Sequence, residues 1–248
     1  MTGKTVLFHV SDLHFGVENR EALDWFAISV EDERPDGIVC TGDLTQRATH
    51  REYGHAREWF TQFDVPLMVQ PGNHDMPYYN PVERFTRPYK RFGALEAAVG
   101  SELSTEHAVI VPFDTNAAAQ WRWPWSDGIV KRRKLDAALE RLRGLRDDPR
   151  VKLVACHHPL LPVEDAGKNP TIRGDMAFEQ LAAAGASAIL TGHVHTPFDV
   201  TRARGNRPMR MIGAGTLSTR LRGADPSYNV VTIENGAIAV EQRDFASA

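Results

Sequence analysis

Two histidines stand one residue apart in the tetrapeptide GHVH, residues 192–195, directly after the apolar run at residues 188–190. Alternate side chains of an extended segment point to the same side of the chain. His193 and His195 can therefore face one metal ion, or two adjacent ions, since imidazole is a common metal ligand. Two exposed loop histidines would give the same tetrapeptide, so the rest of the sequence has to decide between these interpretations.

Five apolar segments of the chain are each followed by aspartate, asparagine or histidine. In order, the motifs are Asp12-Leu13-His14, Gly42-Asp43, Gly72-Asn73-His74-Asp75, His157-His158 and Gly192-His193-Val194-His195. Taken singly, Asp12 can be a helix cap, Asp43 a turn residue and His157 a core histidine. Explaining all of them in that way needs five coincidences of residue type and position. Because ligands bind at the carboxyl ends of strands in open α/β sheets, we expect the motifs to converge on one metal site.

The segments that carry these motifs alternate with helical patterns. Apolar runs predict strands at residues 6–10, 37–40, 66–69, 107–113, 151–156 and 188–190. Helical spacing of apolar residues predicts helices at residues 21–32, 51–63, 132–146 and 175–184. This alternation is typical of parallel α/β sheets. Residues 79–104 are predicted to form a loop-rich insertion with short helices, and successive strands follow residue 197, all within one domain over residues 1–248.

Length and composition limit the classes of protein to which the chain can belong. It has 248 residues, enough for a large α/β domain whose core needs no disulfide, and its net charge of -3 argues against nucleic acid or a membrane surface as partner. No segment approaches the roughly 18 apolar residues of a membrane span. No signal-peptide pattern precedes the first strand, so we expect a cytoplasmic protein. Cys40 and Cys156 lie in apolar runs and indicate buried thiols rather than a disulfide framework.

In type and order, the five motifs resemble those of the calcineurin-like metallophosphoesterase family. The local sequences VSDLHFG, TGDLT, PGNHD and CHHPL are most similar to the branch that contains class III cyclic-nucleotide phosphodiesterases and glycerophosphodiesterases. The resemblance extends from residue 5 to about residue 233. It implies a four-layer α/β/β/α sandwich with a dinuclear metal centre at the strand ends, in which the strands of residues 197–243 form mostly the second sheet.

The resemblance also implies how the motif residues are distributed over two metal ions. One ion would be held by Asp12, His14 and His195, the other by Asn73, His157 and His193, with Asp43 bridging both. His158 is the alternative to His157, which we favour because it directly continues the strand and precedes the residue that Pro159 restricts.

His74 and Asp75 would have a different task. In the family, the histidine at this position points at the leaving-group oxygen, where it can donate a proton or stabilise developing charge. Asp75 would orient the His74 ring, although it can equally cap the segment that follows.

Mixed oxygen and imidazole ligands suit two divalent or mixed-valence ions of Mn, Fe or Zn. Such a pair can clamp phosphoryl oxygens and lower the pKa of a bridging water, so that hydroxide attacks phosphorus in line. The predicted activity is hydrolysis of phosphodiester bonds in a small molecule, with cyclic nucleotides as the first candidate. Alternatives are glycerophosphodiesters, other organophosphates, UDP-sugar pyrophosphates and, against the charge argument, nucleic acids. A non-catalytic scaffold of the same fold would not need His74.

Substrate contacts are harder to predict from the sequence. Trp121, Trp123 and Trp125, in the stretch WRWPW, can stack against a base or an aromatic leaving group, or form a packed loop or a homodimer contact. Arg173, in the loop NPTIRGD, can contact a phosphate or a sugar. Because no arginine cluster adjoins a motif, we expect diesters to be preferred over the more highly charged monoesters.

Overall fold

The computed structural model describes residues 3–119, 126–163, 170–204 and 207–246. The strands in these residues are β1 (Lys4–Val10), β2 (Gly37–Cys40), β3 (Leu67–Val69), β4 (Leu103–Ser104), β5 (Ala108–Pro112), β6 (Val151–Ala155), β7 (Ala188–Thr191), β8 (Phe198–Arg204), β9 (Arg207–Gly213), β10 (Ser227–Glu234) and β11 (Ala237–Asp244). The helices are α1 (Arg20–Glu33), α2 (His50–Thr61), α3 (Pro81–Thr86), α4 (Lys90–Val99), α5 (Arg132–Gly144) and α6 (Gly174–Ala183).

The strands form two sheets. The five-stranded sheet has the order β11-β10-β1-β2-β3, in which β1, β2 and β3 are parallel and β10 is antiparallel to both of its neighbours. The six-stranded sheet has the order β4-β5-β6-β7-β9-β8, in which β5, β6, β7 and β9 are parallel. Helices join β1, β2 and β3 in one sheet and β5, β6 and β7 in the other, as the alternating sequence pattern predicts, whereas β8 connects β7 to β9.

Three apolar clusters separate four layers of secondary structure. Phe8 packs in a cluster with residues of α1 and α2 on the outer face of the five-stranded sheet. Its neighbour Leu7 points to the opposite face, into a cluster shared with Leu153 and Leu190 of the six-stranded sheet. The third cluster joins the outer face of the six-stranded sheet to α5 and α6. The predicted α/β/β/α sandwich is thereby confirmed.

The helices of the N-terminal half begin where the sequence supplies caps. Asn19 accepts a hydrogen bond from the backbone N–H of Ala22 at the start of α1. Thr49 and Glu52 form a reciprocal capping box at the start of α2. These caps satisfy N–H groups that a helix leaves unpaired at its first turn. Each helix therefore begins one residue before its predicted position.

The insertion at residues 79–104 contains α3, α4 and β4. Phe92 and Leu95 of α4 are buried in the cluster on the outer face of the five-stranded sheet. Tyr78, Tyr79 and Phe85, in contrast, are exposed. The insertion thus closes one end of the core and leaves an aromatic surface open to solvent.

The C-terminal strands differ in their placement from the sequence prediction. The hairpin β8–β9 joins the second, six-stranded sheet as expected, but the hairpin β10–β11 extends the five-stranded sheet beside β1. Tyr228 and Val230 face the helices and Val231 faces the other sheet, so β10 is buried on both sides. The alternation of apolar residues predicts strands here, but it does not determine which sheet a strand joins because that pairing is between residues far apart in sequence.

No helix within the described ranges is long and apolar enough to cross a bilayer.

Candidate metal centre

The five motifs meet at the carboxyl ends of β1, β2, β3, β6 and β7. Their side chains form two buried groups whose members could hold a metal ion: Asp12, His14, Asp43 and His195 in one, and His157, His158 and His193 in the other. The ligand atoms within each group lie within 4.8 Å of one another. Asn73 lies against the second group, with its Oδ1 3.2 Å from His157 Nε2. The structure therefore brings all seven predicted ligands together.

In the first group, three potential ligand atoms are directed at one another. Asp12 Oδ1 lies 3.1 Å from His195 Nε2, and His14 Nε2 lies 3.2 Å from His195 Nε2 and 3.6 Å from Asp12 Oδ1. Ligand atoms that share one ion at about 2.1 Å lie roughly 3.0–3.4 Å apart. Asp12 Oδ1 is fully buried, and no donor in the described part of the chain hydrogen-bonds to it. A buried carboxylate oxygen without a donor fits a metal ion as its partner.

Backbone carbonyl groups fix the orientation of two of the histidines. His195 Nδ1 donates to the carbonyl of Arg220 at 2.7 Å, and His157 Nδ1 donates to the carbonyl of Thr41 at 2.9 Å. With Nδ1 engaged in this way, Nε2 of each ring points into the centre and carries the lone pair whenever the ring is neutral. Metal-binding histidines are commonly held in this way by an acceptor behind the ring.

Asp43 lies between the two groups. Its Oδ2 is 3.4 Å from His157 Nε2 in the second group and 3.7 Å from His14 Nε2 in the first. Its Oδ1 accepts a hydrogen bond from the backbone N–H of His74 at 2.8 Å, which fixes the carboxylate plane. One oxygen of Asp43 therefore faces both groups, as the predicted bridging role requires.

His158 has other partners. Its Nδ1 lies 2.9 Å from Thr115 Oγ1, and its Nε2 donates to the carbonyl of Ser126 at 2.9 Å. Both ring nitrogens are thus engaged with the protein, whereas His157 directs Nε2 at Asn73 and Asp43. This geometry supports His157 over His158 as the metal ligand.

The buried charges of the centre have shifted pKa values. Burial raises the pKa of Asp12 and Asp43, but nearby imidazoles, led by His195 for Asp12 and His157 for Asp43, more than offset it, so both carboxyl pKa values lie well below the usual range. Burial lowers the pKa of His14 to about 4. Burial also lowers the pKa of His157, but Asp43 outweighs it and raises the value to about 9. The carboxylates of Asp12 and Asp43 are therefore anionic, and their buried negative charge is stabilised by positive charge on neighbouring groups.

Asp75 does not orient the ring of His74, so that prediction is wrong. The carboxylate of Asp75 instead accepts hydrogen bonds from the backbone N–H groups of Leu44, Thr45 and Gly72, at 2.8–3.1 Å. His74 Nδ1 donates to the carbonyl of Gln46 at 2.7 Å, which fixes the ring. Asp75 therefore holds the loop after Asp43 and caps the short 3₁₀ turn at Asn73–Asp75. Burial and the Asp43 charge raise the pKa of Asp75 to about 7.

Arg220 is a residue of the centre that the sequence analysis missed. Its Nη1 lies 3.1 Å from His74 Nε2, 3.3 Å from His14 Nε2 and 3.3 Å from Gln46 Oε1. Arg220 belongs to the segment between β9 and β10, and β9 runs parallel to β7, so this segment leaves the sheet at the same edge as the histidines. A signal was present in TLSTR, residues 216–220, because Thr216, Ser218 and Arg220 alternate and so share one side of the chain.

The backbone at the strand ends adopts an uncommon conformation. Positive φ angles occur at Asp12 (56°), His14 (47°), Asp43 (52°), His193 (71°) and His195 (63°). Non-glycine residues visit this left-handed region rarely, and such strain concentrates at functional sites.

Two glycines make room for the carboxylates. A Cβ at Gly72 would lie 2.1 Å from Asp43 Oδ1, and one at Gly192 would lie 1.8 Å from Ser11 Oγ and 2.5 Å from Asp12 Oδ2. The glycine at each motif is therefore required by the close approach of its neighbour.

The predicted substrate contacts are less well supported. Trp121, Trp123 and Trp125 lie outside the described residues, so their proposed stacking stays a prediction. Arg173 is exposed at the start of α6, and no contact between its side chain and a motif residue is present among the described residues.

Comparison with known proteins identifies several similar sequences and folds. A sequence model for calcineurin-like phosphoesterases matches residues 5–197. The chain is 31% identical over 182 residues to the glycerophosphodiester phosphodiesterase GpdQ of Enterobacter lignolyticus (strain SCF1), covering 66% of this chain and 60% of that protein. It is 26% identical over 251 residues to the 3',5'-cyclic adenosine monophosphate phosphodiesterase CpdA of Pseudomonas aeruginosa, covering 93% of this chain and 83% of that protein.

The fold resembles that of a solved dimetal phosphatase from Danio rerio, with a TM-score of 0.65 at 13% identity over 98% of this chain and 99% of that one. At this identity the likeness concerns the fold alone. The first sequence match, in turn, spans less than two thirds of the relative's own length.

Proposed function

The chain belongs to the calcineurin-like phosphoesterase family, and from that premise we propose that it hydrolyses phosphodiester bonds of small molecules with two metal ions bound at the strand ends of its two sheets. The observation that carries the proposal is the position of Asp43. A single buried carboxylate oxygen faces imidazole nitrogens of two separate groups, His14 at 3.7 Å and His157 at 3.4 Å. Such an arrangement suits two neighbouring cations that share one anionic ligand.

We assign the ligands by their place in these groups. Asp12, His14 and His195 would hold one ion, Asn73, His157 and His193 would hold the other, and Asp43 would bridge them. The unpartnered Asp12 Oδ1 supports a cation at the first position. Oxygen and imidazole donors suit Mn, Fe or Zn. Cys40 and Cys156 lie buried in apolar clusters behind the centre and take no part.

When bound, two such ions polarise phosphoryl oxygens and make a water molecule nucleophilic near neutral pH. The residue of the chain that could act at the leaving-group oxygen of a bound substrate is His74. Its Nδ1 is committed to the carbonyl of Gln46, and its Nε2 lies 3.1 Å from Arg220 Nη1. With a proton on Nε2, a ring fixed in this way could hand that proton to the leaving oxygen or stabilise its charge from a constant position.

The relatives support a diester substrate. Both matched proteins carry names of phosphodiesterases, one for cyclic AMP and one for glycerophosphodiesters. Cyclic nucleotides are our first candidate because the cyclic-nucleotide relative matches 93% of the chain. Glycerophosphodiesters follow, since that relative has the higher identity over its shorter match.

A substrate panel tests the proposed activity. The protein loaded with Mn²⁺, Fe²⁺ or Zn²⁺ is assayed with bis-p-nitrophenyl phosphate, p-nitrophenyl phosphate, cyclic nucleotides, a glycerophosphodiester and single-stranded DNA. We expect turnover of small diesters that chelator abolishes and that Asp43→Ala lacks. A clear preference for p-nitrophenyl phosphate would overturn the diesterase assignment but leave the two-metal site intact.

The role of His74 can be separated from metal binding. His74→Ala should keep both ions, since His74 is not an assigned ligand, while kcat falls by about 10²–10⁴-fold. The loss should be smaller for p-nitrophenolate esters, whose leaving group needs little protonation. Equal losses for good and poor leaving groups would show that His74 positions the phosphate instead.

A further inference from the structure

Arg220 brings a guanidinium group into the centre that no ligand assignment uses. Its Nη1 is within hydrogen-bond distance of His14, His74 and Gln46, all of which offer uncharged acceptor atoms. Among the described residues, none of its side-chain hydrogen-bond partners is a carboxylate. Partly buried arginines are usually paired with an anion, most favourably through two parallel N–H donors. Within the part of the chain that the structure describes, Arg220 therefore has no anionic partner.

The contact with His14 competes with the proposed metal ligation. His14 Nε2 offers a single lone pair, and it lies 3.3 Å from Arg220 Nη1. When that lone pair serves a metal ion, the Arg220 donor that now points at it is released for another acceptor. Arg220 Nη1 lies beside both His14 and His74, whose rings pack edge to face with centroids 4.8 Å apart, so an acceptor of the released donor would lie next to this pair of rings.

We propose that Arg220 binds a non-bridging phosphoryl oxygen of the substrate on the His74 side of the metal centre. This inference rests on the proposed function, because it places the phosphate at the same centre. A guanidinium group presents a planar fork of donors that matches two phosphate oxygens. Arg220 thus supplies a cationic contact beyond the metal ions.

The backbone of this segment is held independently of the Arg220 side chain. Thr216 Oγ1 donates to the Asp12 carbonyl at 2.6 Å and lies 2.7 Å from Ser218 Oγ, which accepts from the Arg220 N–H at 3.2 Å. The Arg220 carbonyl accepts from His195 Nδ1. Replacement of the Arg220 side chain leaves each of these bonds available, so His195 should keep its orientation.

Arg220 also affects how tightly the centre should bind products relative to substrates. Hydrolysis of a diester monoanion yields a monoester that carries a second negative charge near neutral pH. A cation at the phosphoryl oxygens holds this product, and inorganic phosphate, more tightly than the diester. Loss of Arg220 should therefore weaken binding of phosphate and monoesters more than binding of diesters.

The test compares Arg220→Gln and Arg220→Lys with Arg222→Gln, which removes an exposed arginine from the same segment. Binding of inorganic phosphate to the metal-loaded proteins is measured by calorimetry, metal content by elemental analysis, and KM and kcat with bis-p-nitrophenyl phosphate and p-nitrophenyl phosphate. In Arg220→Gln the Kd for phosphate should rise about 10- to 100-fold, as for loss of a charged hydrogen bond, with two ions still bound. The Kd of Arg220→Lys should lie between those of the wild type and Arg220→Gln. The Kd of Arg222→Gln should equal that of the wild type.

Unchanged phosphate affinity in Arg220→Gln would overturn the proposal, and so would an equal loss in Arg222→Gln, which would indicate a general charge effect. Loss of a metal ion in Arg220→Gln would also overturn it, because Arg220 would then act on the ligands. Failure of the wild type to hydrolyse any phosphoester would refute the proposed function separately, since phosphate binding is measured without turnover. Wild-type protein that binds no phosphate would refute the role of Arg220.

Discussion

The two sheets contribute different chemistry to one centre. Among the assigned ligands, the strand ends of the five-stranded sheet supply the oxygen donors Asp12, Asp43 and Asn73 and one imidazole, that of His14. The six-stranded sheet supplies imidazoles alone, from His157, His193 and His195. Each of the two proposed ions draws ligands from both sheets. The full ligand set of either proposed ion is therefore assembled only when the two sheets are packed together.

Hydrogen bonds across the interface enforce this dependence. His157 donates to the Thr41 carbonyl, and the backbone N–H of His193 donates to Asp12 Oδ2 at 2.8 Å. Thr216 Oγ1, which also belongs to the six-stranded half, donates to the Asp12 carbonyl of the five-stranded half. Each bond joins a group of the six-stranded half to one of the five-stranded half. Metal binding and sheet packing should therefore be energetically coupled.

The largest effect is expected from the residue that both proposed ions share. Asp43→Ala should lose both ions and with them all metal-dependent hydrolysis, because one carboxylate screens the repulsion between two cations. Asp43→Asn, which keeps an acceptor for the His74 N–H, should behave in the same way. Elemental analysis that found two ions at wild-type affinity in either variant would show that Asp43 does not bridge.

A smaller effect should separate two adjacent histidines of the six-stranded sheet. His157→Ala should retain at most one ion per chain, because only Asn73, His193 and the shared Asp43 remain as assigned ligands of that position. His158→Ala should keep both ions but lower the free energy of unfolding by about 1–3 kcal/mol, since Thr115 and Ser126 lose a buried partner. Metal analysis and denaturant unfolding of the pair measure both quantities. Loss of an ion in His158→Ala, with both ions kept in His157→Ala, would show that His158 rather than His157 is the metal ligand.

Metal removal should weaken both sheets together. Binding at 100 times Kd stabilises the folded state by about 2.7 kcal/mol per site, so chelation should lower the Tm of the wild type but leave that of Asp43→Ala unchanged. Cys40 and Cys156 are buried thiols on opposite halves of the sandwich, and burial raises the pKa of both. Each should react faster with a thiol reagent after chelation, and mass spectrometry of the labelled peptides gives the two rates.

Parallel acceleration at Cys40 and Cys156 is the outcome expected for coupled sheets. Acceleration of one thiol alone would show that the halves open independently, and it would contradict the argument from the cross-sheet hydrogen bonds. Asp43→Ala serves as the control, because chelator should not change its labelling.

The smallest effect concerns a histidine near the boundary between the sheets. His9 on β1 lies 3.1 Å from Thr41 Oγ1 and 3.4 Å from Asn229 Nδ2, and Asn229 donates to the Gly213 carbonyl of β9. Burial lowers the pKa of His9 to about 3 from 6.5. The unfolded chain therefore binds a proton at higher pH than the folded chain, and this histidine makes stability fall as pH decreases from 6.5 towards 3.

His9→Gln removes that titration. The difference in unfolding free energy between the wild type and His9→Gln should shrink by about 2 kcal/mol between pH 7 and pH 5, with chelator present so that metal release does not contribute. Denaturant unfolding at both pH values measures the difference. A difference independent of pH would show that His9 takes up a proton in the folded protein as readily as in the unfolded chain.

The sequence predicted the residues at strand ends better than it predicted the partners of those residues. Asp12, Asp43 and His157 each follow a short apolar run, and the rule that parallel strands end at a common edge brings them together. Asp75 satisfies the same local pattern, yet its carboxylate binds backbone of the loop after Asp43, a contact between segments about thirty residues apart. No local pattern encodes which of two nearby acceptors reaches a histidine ring.

Arg220 and the hairpin β10–β11 were missed or misplaced for a related reason. The position of Arg220 depends on β9 lying parallel to β7, although β8 and β9 form a hairpin in sequence. The position of β10 depends on its pairing with β1 at the other end of the chain. Such pairings are determined by packing between elements rather than by the periodicity of either strand.

The left-handed backbone at Asp12, Asp43, His193 and His195 has a consequence for protein engineering. Glycine adopts this conformation without steric cost, and the short side chain of asparagine supports it through local hydrogen bonds. A sequence chosen for the stability of this backbone alone would therefore place glycine or asparagine at these corners. Replacing the four residues together in that way should give a scaffold that binds no metal yet unfolds at higher temperature than the metal-free parent. The difference in unfolding temperature between this scaffold and the metal-free parent would measure how much stability the protein loses by carrying its metal ligands at these positions.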